Sequence, residues 1–282
     1  MQNTPGFKPF AEHVLGLGES RNLVAIKTET DRPDPVKPTV LMLNAGVLHR
    51  VGPRRLHVLL GRDLSARGFP TCRVDLSGIG DSGPISGNIS FRESAVADTR
   101  AVMDDLARND ADRFVLFGLC AGADNSLAVA AKDPRVAAVI LLDAHSYPTK
   151  RAQVRQLLQR AAQSGFLAVV RSAAGMAFRL LAKAVRSKHK SDGPMGRFPP
   201  PQAEFRKVLV DLVERGTKVL FVYSATMQVR FNHKEQLFEL FPELRGRVDV
   251  EYFGDSDHAF TEAASQKRLM ATVTDWMARA FP

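Results

Sequence analysis

Residues 113–131, RFVLFGLCAGADNSLAVAA, constrain the fold of this chain more than any other stretch. Residues 114–118 read as a buried strand, which turns sharply through Gly118-Leu119-Cys120-Ala121-Gly122. An Ala/Leu-rich helix follows and is stopped by Asp133-Pro134. A residue at the tip of such a turn is held in strained backbone. Small residues two positions before and two after let strand and helix pass close together. The helix aims its unpaired N–H groups and positive dipole end at the tip, which lowers the pKa of a thiol placed there. The spacing is that of the G-x-S-x-G nucleophile turn, with Cys120 in the place of serine. Taken alone, the same residues suit a structural cysteine in an ordinary strand-to-helix turn, so the rest of the chain has to decide.

On either side, apolar runs alternate with helical patterns. Residues 38–44 (PTVLMLN), 69–76 (FPTCRVDL), 137–143 (AAVILLD), 218–224 (KVLFVYS) and 248–253 predict strands, and 22–28 predicts one more inside a lead-in that covers 1–36. Helices are expected over about 54–67, 91–109, 204–215, 234–241 and 261–281. Strands separated by helices at these lengths predict an α/β fold with one mostly parallel sheet covered on both faces. In such sheets chemistry collects at the carboxyl ends of the strands. The loops to watch therefore follow Asn44, Leu76, Gly118, Asp143, Ser224 and Phe253.

The alternation breaks at residue 148. The chain thus divides into a first core part (1–147), a basic helical insert (148–203) and a second core part (204–282). The net charge of +9 would suggest nucleic acid, but thirteen Lys and Arg stand against Asp192 and Glu204 within 148–207. The basicity belongs to one segment, and three Tyr and one Trp offer little for base stacking, so nucleic acid is excluded as a partner. Apolar stretches at 166–170 and 176–181 make the insert amphipathic. It suits an acyl chain and an anionic partner, such as the phosphates of acyl-CoA or an acidic acyl carrier protein. No apolar run is long enough for stable membrane insertion, and the first fifteen residues lack the pattern of a signal peptide. Two cysteines, Cys72 and Cys120, make no disulfide framework, and a cytoplasmic location fits. Cys and His show no zinc spacing, and neither a metal nor a cofactor is expected.

Four motifs now stand in order: Asn44-Ala-Gly46, residues 73–82 (RVDLSGIGDS), Gly118-Leu-Cys-Ala-Gly122 and Asp257-His-Ala-Phe260. Together they resemble the α/β-hydrolases. Within that superfamily, NAGVLHRVGPRR followed by RVDLSGIGDSG is similar to the serine-aminopeptidase-like hydrolases of bacterial exopolysaccharide (exosortase-associated) gene clusters. The resemblance covers roughly 38–145 and 204–282. It implies an α/β-hydrolase fold with a cap insertion and a nucleophile, a histidine and an acid in that use. Cys120 is the implied nucleophile and His258, in the loop after the last strand, the implied base. The backbone N–H of Ala121, with that of Gly46 or Val47, would form the oxyanion hole.

The third member departs from the family pattern. The loop after Ser224 holds no carboxylate. Asp143, at the end of the preceding strand, is the best replacement, and Gln228 or Asn232 could orient the histidine through an amide. A thiol depends on this member less than a hydroxyl does, because it ionises more readily. Asp75 and Asp81 read as structural residues of the Gly78/Gly80 loop.

The expected function is hydrolysis of a small acyl ester or thioester through an acyl-enzyme on cysteine. Two alternatives stay open: an acyltransferase carrying the group from a thioester to a sugar or lipid acceptor, and an inactive hydrolase-fold scaffold.

Overall fold

The computed structural model describes residues 11–30, 34–85, 87–108, 111–164, 199–227 and 230–282. Among these residues, eight strands form one sheet: β1 (Glu12–Leu17), β2 (Leu23–Thr28), β3 (Thr39–Met42), β4 (Thr71–Val74), β5 (Phe114–Leu119), β6 (Val136–Leu142), β7 (Lys218–Ser224) and β8 (Asp249–Phe253). Their order across the sheet is β1-β2-β4-β3-β5-β6-β7-β8. β2 runs antiparallel to both neighbours, and the other pairings are parallel. The helices are α1 (Leu56–Ala66), α2 (Phe91–Ala107), α3 (Ala121–Ala130), α4 (Lys150–Ser164), α5 (Gln202–Glu214), α6 (Gln236–Leu240) and α7 (Ala263–Ala280).

Side chains alternate across the strands and feed two cores. Val40 and Met42 of β3 and Val115 and Phe117 of β5 pack with Leu60 of α1 and Val273 of α7. Leu41 and Leu116, on the opposite face, pack with Val102 of α2, Leu127 of α3 and Leu209 of α5. Burial on both faces is why these strands read as unbroken apolar runs. All six residues of β5 are buried, and this places the start of α3 in the middle of the sheet. α2 begins where expected because Ser90 and Glu93 form a capping box.

One strand went unread in the sequence. The lead-in contains β1, whose EHVLGL sequence buries only Leu17 and so lacks an apolar run. It is held by its ladder to β2 and by the Glu12 carboxylate, which accepts from Arg62 Nη2 and from Arg73 Nη2, each at 2.8 Å. Of the basic insert, residues 165–198, including the apolar stretches at 166–170 and 176–181, lie outside the described residues. No described helix is long and apolar enough to cross a membrane.

Candidate active site

Cys120 sits at the N-cap of α3 with φ 60° and ψ −121°, a conformation that residues other than glycine rarely adopt. The turn is forced by close packing. A Cβ added to Gly118 would lie 2.2 Å from the carbonyl carbon of Gly122 and 2.5 Å from the Ala123 nitrogen. One added to Gly122 would lie 2.5 Å from the Asn44 oxygen. These obstacles are backbone and cannot swing aside. Gly118→Ala is therefore expected to cost about 3 kcal/mol or more of stability, or to prevent folding. Urea denaturation checks this, and a midpoint equal to wild type would refute the close-packing account of the turn.

The Cys120 N–H donates to the Leu142 oxygen at 2.9 Å and thereby ties the turn to the end of β6. Asp143 follows immediately, also with positive φ (48°), and is fully buried. Parallel pairing of β6 with β7 aligns Leu142 with Val222, and the Asp143 N–H donates to the Val222 oxygen at 2.8 Å. That register sets the Asp143 carboxylate beside Ser224. Asp143 Oδ1 accepts from the Ser224 N–H and Oδ2 from the Ser224 hydroxyl, both at 2.7 Å. Oδ2 also meets His258 Nδ1 at 2.6 Å. A buried carboxylate needs such donors to be tolerated.

His258 reaches this point from the loop after β8. Its N–H donates to the Thr226 hydroxyl at 2.9 Å, and the Ala225 N–H donates to the Ser256 oxygen at 2.9 Å. The ends of β7 and β8 thus fix the histidine from below. The half-buried ring also hydrogen-bonds the Cys120 thiol. Its pKa is pushed up to about 10, first by the hydrogen bond to Asp143, then by that to Cys120, against an opposing effect of burial. Cys120, His258 and Asp143 form one hydrogen-bonded line across the carboxyl ends of the central strands.

Of the alternative orienting residues, Gln228 lies outside the described residues. Asn232 is engaged elsewhere: Nδ2 donates to the Ala152 oxygen and Oδ1 pairs with His233 Nδ1, each at 2.8 Å. It does not orient His258, because β7 turns away into a short helical turn, Ala225–Met227, before reaching it. Asp257 also points elsewhere, with Oδ1 accepting from the Thr261 N–H at 2.8 Å. Sequence reading missed Ser224 and Thr226, which hold the acid and the histidine loop. Their only signal is position, since each stands where the strand on that side ends.

The loop that follows Asn44 lies against the start of α3. Gly46 has φ 63°, and Ala45–Leu48 close a turn through an N–H to oxygen bond of 3.2 Å. The first N–H groups of α3, that of Ala121 among them, have no acceptor within the helix. Gly46, Val47 and Ala121 thus offer backbone donors on the two sides of the Asn44–Gly122 contact. The loop is pinned by the buried Asp75. Its Oδ1 accepts from Asn44 Nδ2 at 2.9 Å and from the Arg50 N–H at 2.6 Å, and its Oδ2 takes the Arg50 guanidinium. Asn44 further donates to the Leu48 oxygen at 2.8 Å. Asp75→Asn exchanges this hub for a neutral one. Loosening of the loop is expected to lower kcat about 10- to 100-fold with a smaller change in KM. Steady-state kinetics on an activated ester decide, and an unaltered kcat would separate Asp75 from the site.

Could this corner hold a metal? His49, Asp75 and Asp81 bring donor atoms within 4.8 Å of one another. The Arg50 guanidinium already stands among them, 2.8 Å from both Asp81 Oδ2 and His49 Nε2, and supplies the cation.

The sequence model of a family described as "alpha/beta hydrolase fold" matches residues 38–263. No curated protein gives a significant sequence match. Among solved structures, a Pyrococcus furiosus esterase superposes with a TM-score of 0.61 at 13% identity, over 97% of this chain and 92% of that one. A thermophilic esterase from Thermogutta terrifontis gives 0.56 at 16% identity, over 96% and 100%. A serine hydrolase without lid from Xanthomonas campestris gives 0.54 at 17% identity, over 99% of each chain.

Proposed function

The chain belongs to the α/β-hydrolase fold family, and from that premise we propose that it cleaves acyl esters or thioesters with Cys120 as nucleophile, His258 as base and Asp143 as orienting acid. The observation that carries this reading is the hydrogen-bonded line from Asp143 through His258 to Cys120 at the mouth of the sheet.

The chemistry follows from the geometry. His258 takes the thiol proton, and the raised pKa of its ring favours the imidazolium facing a thiolate. Asp143 accepts a hydrogen bond from Nδ1–H, stabilises the imidazolium and keeps the other nitrogen directed at the sulfur. The thiolate attacks the substrate carbonyl carbon. The developing oxyanion is met by the N–H of Ala121 and that of Gly46 or Val47. Collapse expels the alkoxide or thiolate leaving group, which takes the proton from His258, and leaves a thioester on Cys120. Water then gives a proton to His258 and attacks the acyl carbon. Release of the acid and the cysteine thiolate closes the cycle. A hydroxyl acceptor in place of that water would turn the same acyl-enzyme to transfer.

A thiolate is a good leaving group from a tetrahedral intermediate, better than an amine anion. Activated esters and thioesters are therefore expected to turn over, and anilides of the same acyl group far more slowly. Parallel assays of p-nitrophenyl esters, alkyl thioesters and p-nitroanilides test this, with chromatography of the products in the presence of sugar or lipid alcohols. Faster cleavage of the anilide would contradict the reading. So would absence of turnover across all three classes, which favours an inactive scaffold.

A further inference from the structure

We propose that the outer face of α4 docks the protein onto an anionic lipid surface. The docking stands on the geometry of α4 alone. Only its consequence, that the ester is met at an interface, rests on the reaction proposed above.

The sequence of α4, KRAQVRQLLQRAAQS, holds Lys150, Arg151, Arg155 and Arg160 and no acid. Its inner face is defined by Ala152, which is 2% exposed and whose oxygen accepts from Asn232 Nδ2. The Thr149 hydroxyl accepts the Ala152 N–H at 3.1 Å and fixes the start of the helix. At 3.6 residues per turn, the side opposite Ala152 carries Val154, Leu157 and Leu158. They are 54%, 38% and 65% exposed. Lys150, Arg151 and Arg155 are exposed beside them. Arg151 reaches Glu239 at 3.3 Å.

An ordinary surface helix has the reverse arrangement, with charge at the centre of its outer face and aliphatics turned inward. Three branched aliphatics flanked by cations form the pattern of a helix lying in a bilayer interface, with aliphatics among the acyl chains and cations at the phosphates. A protein partner would favour aromatic or methionine anchors at the centre, and α4 contains neither. Arg151 pairs with Glu239, but α4 itself holds no acid, and Lys150 and Arg155 match an anionic surface and not a neutral one. α4 follows the loop that leaves Asp143, so docking would bring lipid close to the candidate site.

Sedimentation with vesicles tests the proposal, using the full chain as wild type and as Cys120→Ala. One vesicle is phosphatidylcholine and the other an equal mixture with phosphatidylglycerol. Both proteins are expected to sediment with the anionic vesicles, much less with the neutral ones, and less as salt rises. Lys150→Gln and Arg155→Gln should each weaken binding about fivefold. A Val154→Gln, Leu157→Gln, Leu158→Gln variant should lose at least about tenfold. These variants should hydrolyse a soluble p-nitrophenyl ester at the wild-type rate without lipid, which keeps docking separate from catalysis. Wild type remaining in the supernatant overturns the proposal. So does an aliphatic variant that sediments like wild type, or charge-dependent binding to an acidic carrier protein without binding to vesicles.

Discussion

Cys120→Ala is expected to lower kcat by about 10⁵-fold or more while the fold stays intact. Cys120 is only partly buried at the tip of the turn, so removal of its sulfur is expected to disturb packing little. What disappears is the atom that, in the proposed reaction, bonds the acyl carbon, and with it the proposed acyl-enzyme route. Backbone donors and substrate positioning would leave only weak residual hydrolysis. Circular dichroism and melting temperature should match wild type, and this distinguishes lost chemistry from lost structure. Retention of more than a few per cent of wild-type turnover would mean that another group attacks the substrate.

Asp143→Asn is the second large effect. The carboxylate meets His258 Nδ1 at 2.6 Å and is the leading cause of the raised histidine pKa. An amide can still accept from Ser224, but it favours the wrong tautomer of the ring and no longer stabilises the imidazolium. A fall in kcat of about 10²- to 10³-fold is expected, smaller than for a serine nucleophile because a thiol ionises with less help. The pH profile carries a second signature. The folded pKa of His258 lies above its ordinary value of 6.5, so the stabilisation by Asp143 is fully present below about 6.5 and is lost as pH rises through about 10. Activity that depends on the imidazolium should fall over that same alkaline range in wild type and at lower pH in Asp143→Asn. The difference in melting temperature between the two proteins should narrow as pH climbs through about 10. An alkaline limb at the same pH in both would remove Asp143 from its orienting role.

The parts legible in sequence are those where one local pattern answers to one cause. Strands such as 114–119 are buried on both faces and read as apolar runs. The strand-to-helix turn at Cys120 is legible because Gly118 and Gly122 are sterically required. β1 escaped because an edge strand with one buried residue has no such pattern. The acid could be narrowed only to Asp143, Gln228 and Asn232. The choice between Asp143 and Asn232 depends on the β6–β7 register, which brings Asp143 to Ser224 and His258 across more than eighty residues of chain. Arg50 carries no sequence signal for its place beneath the loop that follows Asn44. Its neighbour Asp75 read as a structural residue of the glycine loop, but it also binds the loop on the opposite side. Side-chain bonds between distant loops follow from topology, and no spacing within the chain encodes them.

The central claim is a covalent one, and intact mass measurement tests it most directly. The protein is mixed with an excess of a p-nitrophenyl acyl ester, quenched in acid within the first turnovers, weighed and mapped by proteolysis. Wild type should gain the mass of one acyl group, located on Cys120 and released by hydroxylamine. Cys120→Ala should gain none. An acyl group mapped to another residue, or an adduct of equal yield on Cys120→Ala, would contradict the assignment of Cys120 as the nucleophile.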